Sequence, residues 1–157
     1  MPKLVLVCMA NVCRSPMAQS VLQHMAAGAP GARDLTVESA GVRVSWPGTR
    51  IDPRAEAALR RRGYPSVRSR ARQIEARDFE RLDLVLAMDL SNLEELRSLC
   101  PPEHAHKLRL FLDFAPGPQG QPGAALRGGA GHAAGPGACR DPRQLSRHGL
   151  LRPALPL

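Results

Sequence analysis

Val7-Cys8-Met9-Ala10-Asn11-Val12-Cys13-Arg14-Ser15-Pro16 is the stretch on which the reading of this chain turns. Ahead of it, Lys3 to Val7 is a short aliphatic and β-branched run of the kind that forms a buried strand. Behind it, Ser15-Pro16 pairs a favoured N-cap with proline at the first helical position. Met17, Ala18, Val21, Leu22 and Met25 then recur at the spacing of one buried helix face. The stretch therefore predicts strand, turn, helix. Within the turn a cysteine and an arginine are separated by five residues, enough to wrap backbone N–H groups around a tetrahedral oxyanion. The helix N-terminus adds positive potential, and the arginine fork can hold two oxygens at once. Such surroundings also favour a thiolate nucleophile, placing Cys8 beneath a bound phosphorus. Positions 8 to 15 contain neither glycine nor lysine, so a glycine-rich nucleotide loop is not supported.

Working outward, Leu35 to Ser39 reads as a second strand followed by Gly41. Asp52-Pro53 repeats the cap-plus-proline signal, and Ala55, Ala58 and Leu59 form a helical stripe that Gly63 terminates. Leu82 to Met88 is a nearly unbroken apolar run of strand length, Ser91 to Leu99 a short helix stopped by Cys100-Pro101-Pro102, and Lys107 to Leu112 a last strand. Strands separated by helices predict a single parallel α/β domain over residues 1–114, with its ligand site beyond the carboxyl ends of the strands.

The 157 residues carry a net charge of +8, half of it beyond residue 114. Nine of the 14 glycines and seven of the 15 prolines also fall in 115–157, a stretch without aromatic, Val or Ile residues that predicts a disordered tail. Its bias toward Gly, Pro, Ala and Arg, the residues of GC-rich codons, suggests a change of reading frame shortly after Gly117. Arg60, Arg61, Arg62, Arg68, Arg70 and Arg72 form a basic stretch, but no aromatic is interleaved with them. A single-strand nucleic-acid platform is thereby disfavoured, and an anionic substrate accounts for the charge. No apolar run approaches the ~20 residues of a membrane span. Leu4 to Val7 is too short for a secretory leader, so the expectation is a cytoplasmic protein. Cys8 and Cys13 lack metal-ligand spacing, Cys100 and Cys139 have no nearby ligand, and no metal or cofactor is expected.

The 7–16 stretch resembles the signature of the low-molecular-weight protein tyrosine phosphatases. The resemblance continues through Ser39-Ala40-Gly41, Asp52-Pro53-Arg54-Ala55, Arg62-Gly63-Tyr64, Ala71-Arg72-Gln73-Ile74, Leu86-Ala87-Met88-Asp89 and Phe114-Ala115-Pro116-Gly117. It implies a four-stranded parallel sheet with flanking helices and hydrolysis of a phosphotyrosine protein, or of a small aryl phosphate, through a phosphocysteine. Carried over, Cys8 is the nucleophile and Arg14 grips the phosphoryl oxygens. Met9, Ala10, Asn11, Val12, Cys13, Arg14 and Ser15 form the phosphate loop, Ser15 hydrogen-bonding the thiolate and Asn11 holding the loop's unusual backbone. Cys13 corresponds to a cysteine able to pair reversibly with the nucleophile, or else packs in the core. Trp46 lies in the loop lining the substrate mouth, or else is packing.

The chain departs from the resemblance in three places. Ala10 stands where a glycine is usual, adding a Cβ that would strain a backbone required to approach phosphate closely, and Ser69 stands where a histidine often buttresses the loop. The Asp-Pro-Tyr loop with its proton-donating aspartate and the last long helix are not recognisable after Gly117; Asp141-Pro142 is a weak substitute. Without that helix, apolar sheet surface is expected to be exposed. Two alternatives accompany the phosphatase reading: a catalytically impaired phosphate- or phosphotyrosine-binding protein lacking the acid, and an arsenate reductase of the same fold.

Overall fold

The computed structural model describes residues 1–115. Leu4, Val5, Leu6 and Val7 are all buried in β1 (Lys3–Cys8). Strand alternation sends Leu4 and Leu6 into one core cluster and Val5 and Val7 into another, on the opposite face. A strand apolar on both faces belongs in the centre of a sheet. β1 accordingly pairs in parallel with β2 (Thr36–Gly41) on one side and β3 (Leu84–Ala87) on the other. β4 (Leu108–Leu110) completes the order β2-β1-β3-β4, the parallel sheet that the sequence implies.

From β1 the chain crosses to β2 through α1 (Arg14–Gly28). It then reverses across the sheet, through α2 (Pro53–Arg61) and α3 (Asp78–Arg81) to β3 and through α4 (Leu90–Leu99) to β4. Because parallel crossovers keep one hand, the reversal puts α3 and α4 on the face opposite α1. Phe79, Leu82, Leu93 and Leu96 close over Val5, Val7, Val85 and Ala87, whereas Ala18 and Leu22 of α1 lie against Leu4, Leu6, Val37 and Leu86. A third cluster, Ile51, Ala55 and Leu59, gathers Cys13, Met17 and Val21 and ties α2 to α1. The reversal also opens a crevice beyond the carboxyl ends of β1 and β3, and the 8–15 loop fills it.

Several boundaries differ from the expectation. β2 extends to Gly41, which stays in register with Cys8. Of the Leu82–Met88 run, only Leu84–Ala87 joins the ladder, because Leu82 turns into the core. β4 is three residues long because Phe111–Phe114 winds into a 3₁₀ turn closed by the Ala115 N–H on the Leu112 carbonyl. Asp52 does cap α2, its Oδ1 accepting the Arg54 N–H at 2.8 Å. Ser15 does not cap α1: the helix starts at Arg14 with Cys13 as N-cap, and Ser15 lies fully buried inside the first turn. The stripe Met17, Ala18, Val21, Leu22 and Met25 is not a sealed face either. With Met88 and Phe111 it lines an apolar groove of about 420 Å³, while Gln19 and Ser20 are buried. The reason is topological, since α1 is the one helix among the described residues that covers this face. No described helix is long and apolar enough to cross a membrane. The tail from residue 116, including Asp141 and Cys139, lies outside the described residues.

Four charged side chains lock β2 to α3. Arg72 reaches Glu38 and Asp78 at 2.9 Å, and Arg81 reaches Glu38 at 2.6 Å and Asp78 at 2.7 Å. The Arg81 hydrogen bond, outweighing burial and joined by the charge of Arg72, holds the Glu38 carboxyl below its ordinary range. Burial raises Asp78, but the Glu75 N–H and the two guanidiniums overcome it, and its carboxyl too is lowered. A carboxyl lowered by folding contributes stability that is complete above its ordinary value near ~4 and is lost as pH falls through the lower folded value. The urea midpoint should hold steady down to about pH 5 and fall steeply below ~4. Glu38→Gln should flatten that fall, and an identical acid limb in this variant would contradict the assignment.

Candidate active site

Cys8 ends β1 as a free thiol, only 3% exposed. The chain then leaves the sheet through residues 9–13 and enters α1 at Arg14. The loop's carbonyls point outward: those of Cys8, Met9, Val12 and Cys13 accept the N–H groups of Val42, Arg43, Asp52 and Met17 at 2.8–3.1 Å. In a planar trans peptide the N–H of the following residue points the opposite way. The amides of Met9, Ala10, Cys13 and Arg14 therefore face away from those outer donors, toward the inside of the turn. This is a built cradle of donors above a sulfur.

Asn11 holds the turn in shape. Its φ of 55° is the one positive value at a non-glycine position among the described residues, a conformation asparagine tolerates better than most. Its amide, buried, donates to Ser15 Oγ and Ser39 Oγ at 2.9 Å, and its Oδ1 accepts the Arg72 N–H at 3.0 Å. Ser39 passes its proton on to Gln19 Oε1 at 2.7 Å. Ala10, by contrast, lies outside the positive-φ region.

Ser15 Oγ stands 3.0 Å from Cys8 Sγ and 3.2 Å from the Ala40 carbonyl. A hydroxyl has one proton for these two acceptors. With Cys8 as thiol, the S–H can donate to Oγ while Ser15 donates to Ala40. With Cys8 as thiolate, the hydroxyl turns its proton to the sulfur. The same side chain thus serves both protonation states, and this is why it is turned inward instead of capping the helix.

Arg14 donates from Nη1 to Asp89 Oδ2 at 2.5 Å, with both side chains about half exposed. Asp89 Oδ1 accepts the Asn92 N–H at 2.7 Å and caps α4. One carboxylate therefore fixes both the guanidinium and the start of α4. In the sequence Asp89 is only part of a matching segment; its signal is its place two residues after β3, beside the switch point. A Cβ at Gly41 would lie 2.7 Å from the Met9 carbonyl oxygen and 3.0 Å from the Asn11 nitrogen, so the loop can approach β2 only because the residue is glycine. Trp46 stands 42% exposed on the loop after β2, with its carbonyl accepting from Thr49. Cys13 is half buried against the Ile51, Ala55 and Leu59 cluster. Asp52, whose N–H holds the Val12 carbonyl, has its carboxyl lowered by the Arg54 hydrogen bond against the effect of burial, a poor state for a proton donor.

Comparison with known proteins bears on this arrangement. A family model described as low molecular weight phosphotyrosine protein phosphatase matches residues 3–122. A low molecular weight protein-tyrosine-phosphatase of Streptomyces coelicolor is 40% identical over 111 residues, covering 70% of this chain and 67% of that protein. Low molecular weight phosphotyrosine protein phosphatase 1 of Drosophila melanogaster is 35% identical over 112 residues, 71% of each chain. The crystal structure of a low molecular weight phosphotyrosine phosphatase from Vibrio cholerae O395 superposes with a TM-score of 0.69 at 34% identity, covering 77% of each chain.

Proposed function

The chain belongs to the low molecular weight phosphotyrosine protein phosphatase family, and from that premise we propose that it hydrolyses phosphotyrosine in proteins through a phosphocysteine formed on Cys8. The observation that carries the proposal is the loop itself: a buried sulfur 3.0 Å from a hydroxyl, under a turn whose carbonyls are bound outward, with a guanidinium held beside it by Asp89. The thiolate attacks phosphorus in line, the P–O bond to the tyrosine breaks, and the phosphoryl group passes to Sγ. Charge gathers on the three equatorial oxygens, where the loop amides and the Arg14 fork stabilise it. Water then attacks the phosphocysteine, releasing phosphate and restoring the thiolate with the Ser15 hydroxyl turned to it.

The departing phenolate takes up a proton. Of the carboxylates bound to the loop's surroundings, Asp52 is committed to Arg54 and Asp89 to Arg14. Asp141, named from the sequence for this role, lies outside the described residues. General acid catalysis contributes about 10²–10⁴-fold and matters most for a phenol of pKa near ~10. The test is phosphate release from p-nitrophenyl phosphate and from a phosphotyrosine peptide. Comparable rates on both are expected of a complete phosphatase. Turnover of the nitrophenyl ester alone would leave nucleophile and cradle standing without an acid, and release from neither by folded protein would overturn the proposal.

Gly41→Ala tests the loop's dependence on its neighbour strand. The added methyl meets backbone atoms of Met9 and Asn11, so the cradle has to move, and a displacement of about 1 Å can cost on the order of 10²-fold. A roughly 100-fold fall in kcat/KM for p-nitrophenyl phosphate is expected, with helix content retained by circular dichroism. Parent-like kinetics would show that the cradle tolerates the shift.

A further inference from the structure

Beside the phosphate loop lies a second cleft, of about 640 Å³, lined on one side by Arg50 and Glu56 and on the other by Ser66, Arg68, Ser69 and Arg70. Its charge is unbalanced. Among the described residues, Arg14, Arg43, Arg54, Arg60, Arg72, Arg77 and Arg81 each sit within 4 Å of a carboxylate. Arg50, Arg68 and Arg70 are not in that set, and all three are exposed. The single acid of the cleft, Glu56, is engaged by Arg60 at 3.1 Å. Three arginines lining one concavity, with no carboxylate among the described residues paired to them, focus a positive field into it.

Both walls are extensions of the phosphate loop. The 48–52 wall is joined to it where the Asp52 N–H meets the Val12 carbonyl, and the 66–72 wall where the Arg72 N–H meets Asn11 Oδ1. The walls are stitched together by the Ala71 N–H on the Thr49 carbonyl and by Arg70 Nη1 on the Gly48 carbonyl. The first wall continues from the loop that exposes Trp46. A polypeptide whose phosphotyrosine occupies the loop would have its neighbouring residues carried along this surface. We propose that the cleft is a specificity subsite for acidic side chains flanking the phosphotyrosine, with Arg50, Arg68 and Arg70 donating to the carboxylates and the Ser66 and Ser69 hydroxyls assisting. The proposal rests on the phosphatase reading and names the substrate class for it.

The test compares kcat/KM for two phosphotyrosine peptides, one with glutamate on both sides and one with glutamine at the same positions. A preference of roughly tenfold for the glutamate peptide is expected at low salt, about 1.4 kcal/mol shared among three exposed charge pairs. The preference should shrink as potassium chloride shortens the screening length. In Arg50→Glu/Arg68→Glu/Arg70→Glu it should vanish or invert, whereas a control of equal charge change outside the cleft, Arg33→Glu/Arg62→Glu/Arg97→Glu, should keep it. No preference in the parent, or equal loss in the control, would overturn the subsite. If the parent releases phosphate from no substrate, the phosphatase reading fails by itself. The cleft is then read from backbone amide shifts on titration with the unphosphorylated glutamate peptide. Shifts confined to residue 50 and residues 66–70 support it. Shifts elsewhere, or an oligonucleotide moving the same signals at lower concentration, overturn it.

Discussion

Cys8→Ser is expected to lower turnover of p-nitrophenyl phosphate by on the order of 10⁴–10⁶-fold, the scale at which loss of a covalent nucleophile acts in other enzymes. The substitution exchanges one small buried atom at the end of β1, so the sheet register with Gly41 should survive. What is lost is the nucleophile: a serine hydroxyl stays protonated unless a base removes its proton, and its neighbour within 3.0 Å is another hydroxyl, that of Ser15. The cradle itself is untouched, so the variant should still bind inorganic phosphate. Acid-quenched parent enzyme should yield a phosphorylated peptide containing Cys8, and the variant should not. A variant retaining a percent or more of the parent rate would mean that the sulfur is not the attacking atom.

Arg14→Lys carries the next largest effect, a fall in kcat of about 10²–10³-fold with KM changed far less. Charge is conserved in this substitution, but geometry is not. The guanidinium gives Nη1 to Asp89 and still has Nε and Nη2 to offer two phosphoryl oxygens, whereas an ammonium is a point charge that cannot span both. Interactions that strengthen only as charge develops in the transition state appear in kcat. The fold should be indifferent, because the Arg14 side chain is 51% exposed. Asp89→Asn should produce a smaller loss of the same kind, since the amide can still cap α4 but releases the ionic hold on Arg14. A lysine variant within tenfold of the parent kcat would remove Arg14 from the transition state.

The order of strands and helices was legible because hydrophobic periodicity and caps are local signals: the apolar run of β1, Asp52 ahead of α2, and Gly63, whose φ of 76° ends it. The Cys8 to Arg14 spacing was legible for the same reason, since one turn of chain has to span one oxyanion. Local rules failed at Ser15. In sequence it is an ideal cap, but folding places a sulfur and a carbonyl within reach of its hydroxyl, and these buried partners outweigh a cap bond at the helix start.

The sequence by itself determined the class of fold and the strand–turn–helix that carries Cys8 and Arg14, because each rests on local periodicity, caps and spacing, and the proposed roles of nucleophile and oxyanion grip rest on that one segment. Only the tertiary structure decided that Asp89, 75 positions away, holds Arg14, that Gly41 admits the loop, and that Arg50 meets Arg68 and Arg70 across a cleft. It also left the α1 stripe lining an open groove instead of a closed core. The physical reason is the same in each case. Strand order and crossover hand bring distant segments to the carboxyl end of β1 and set how many helices cover each face of the sheet, and neither can be read from the periodicity of one segment.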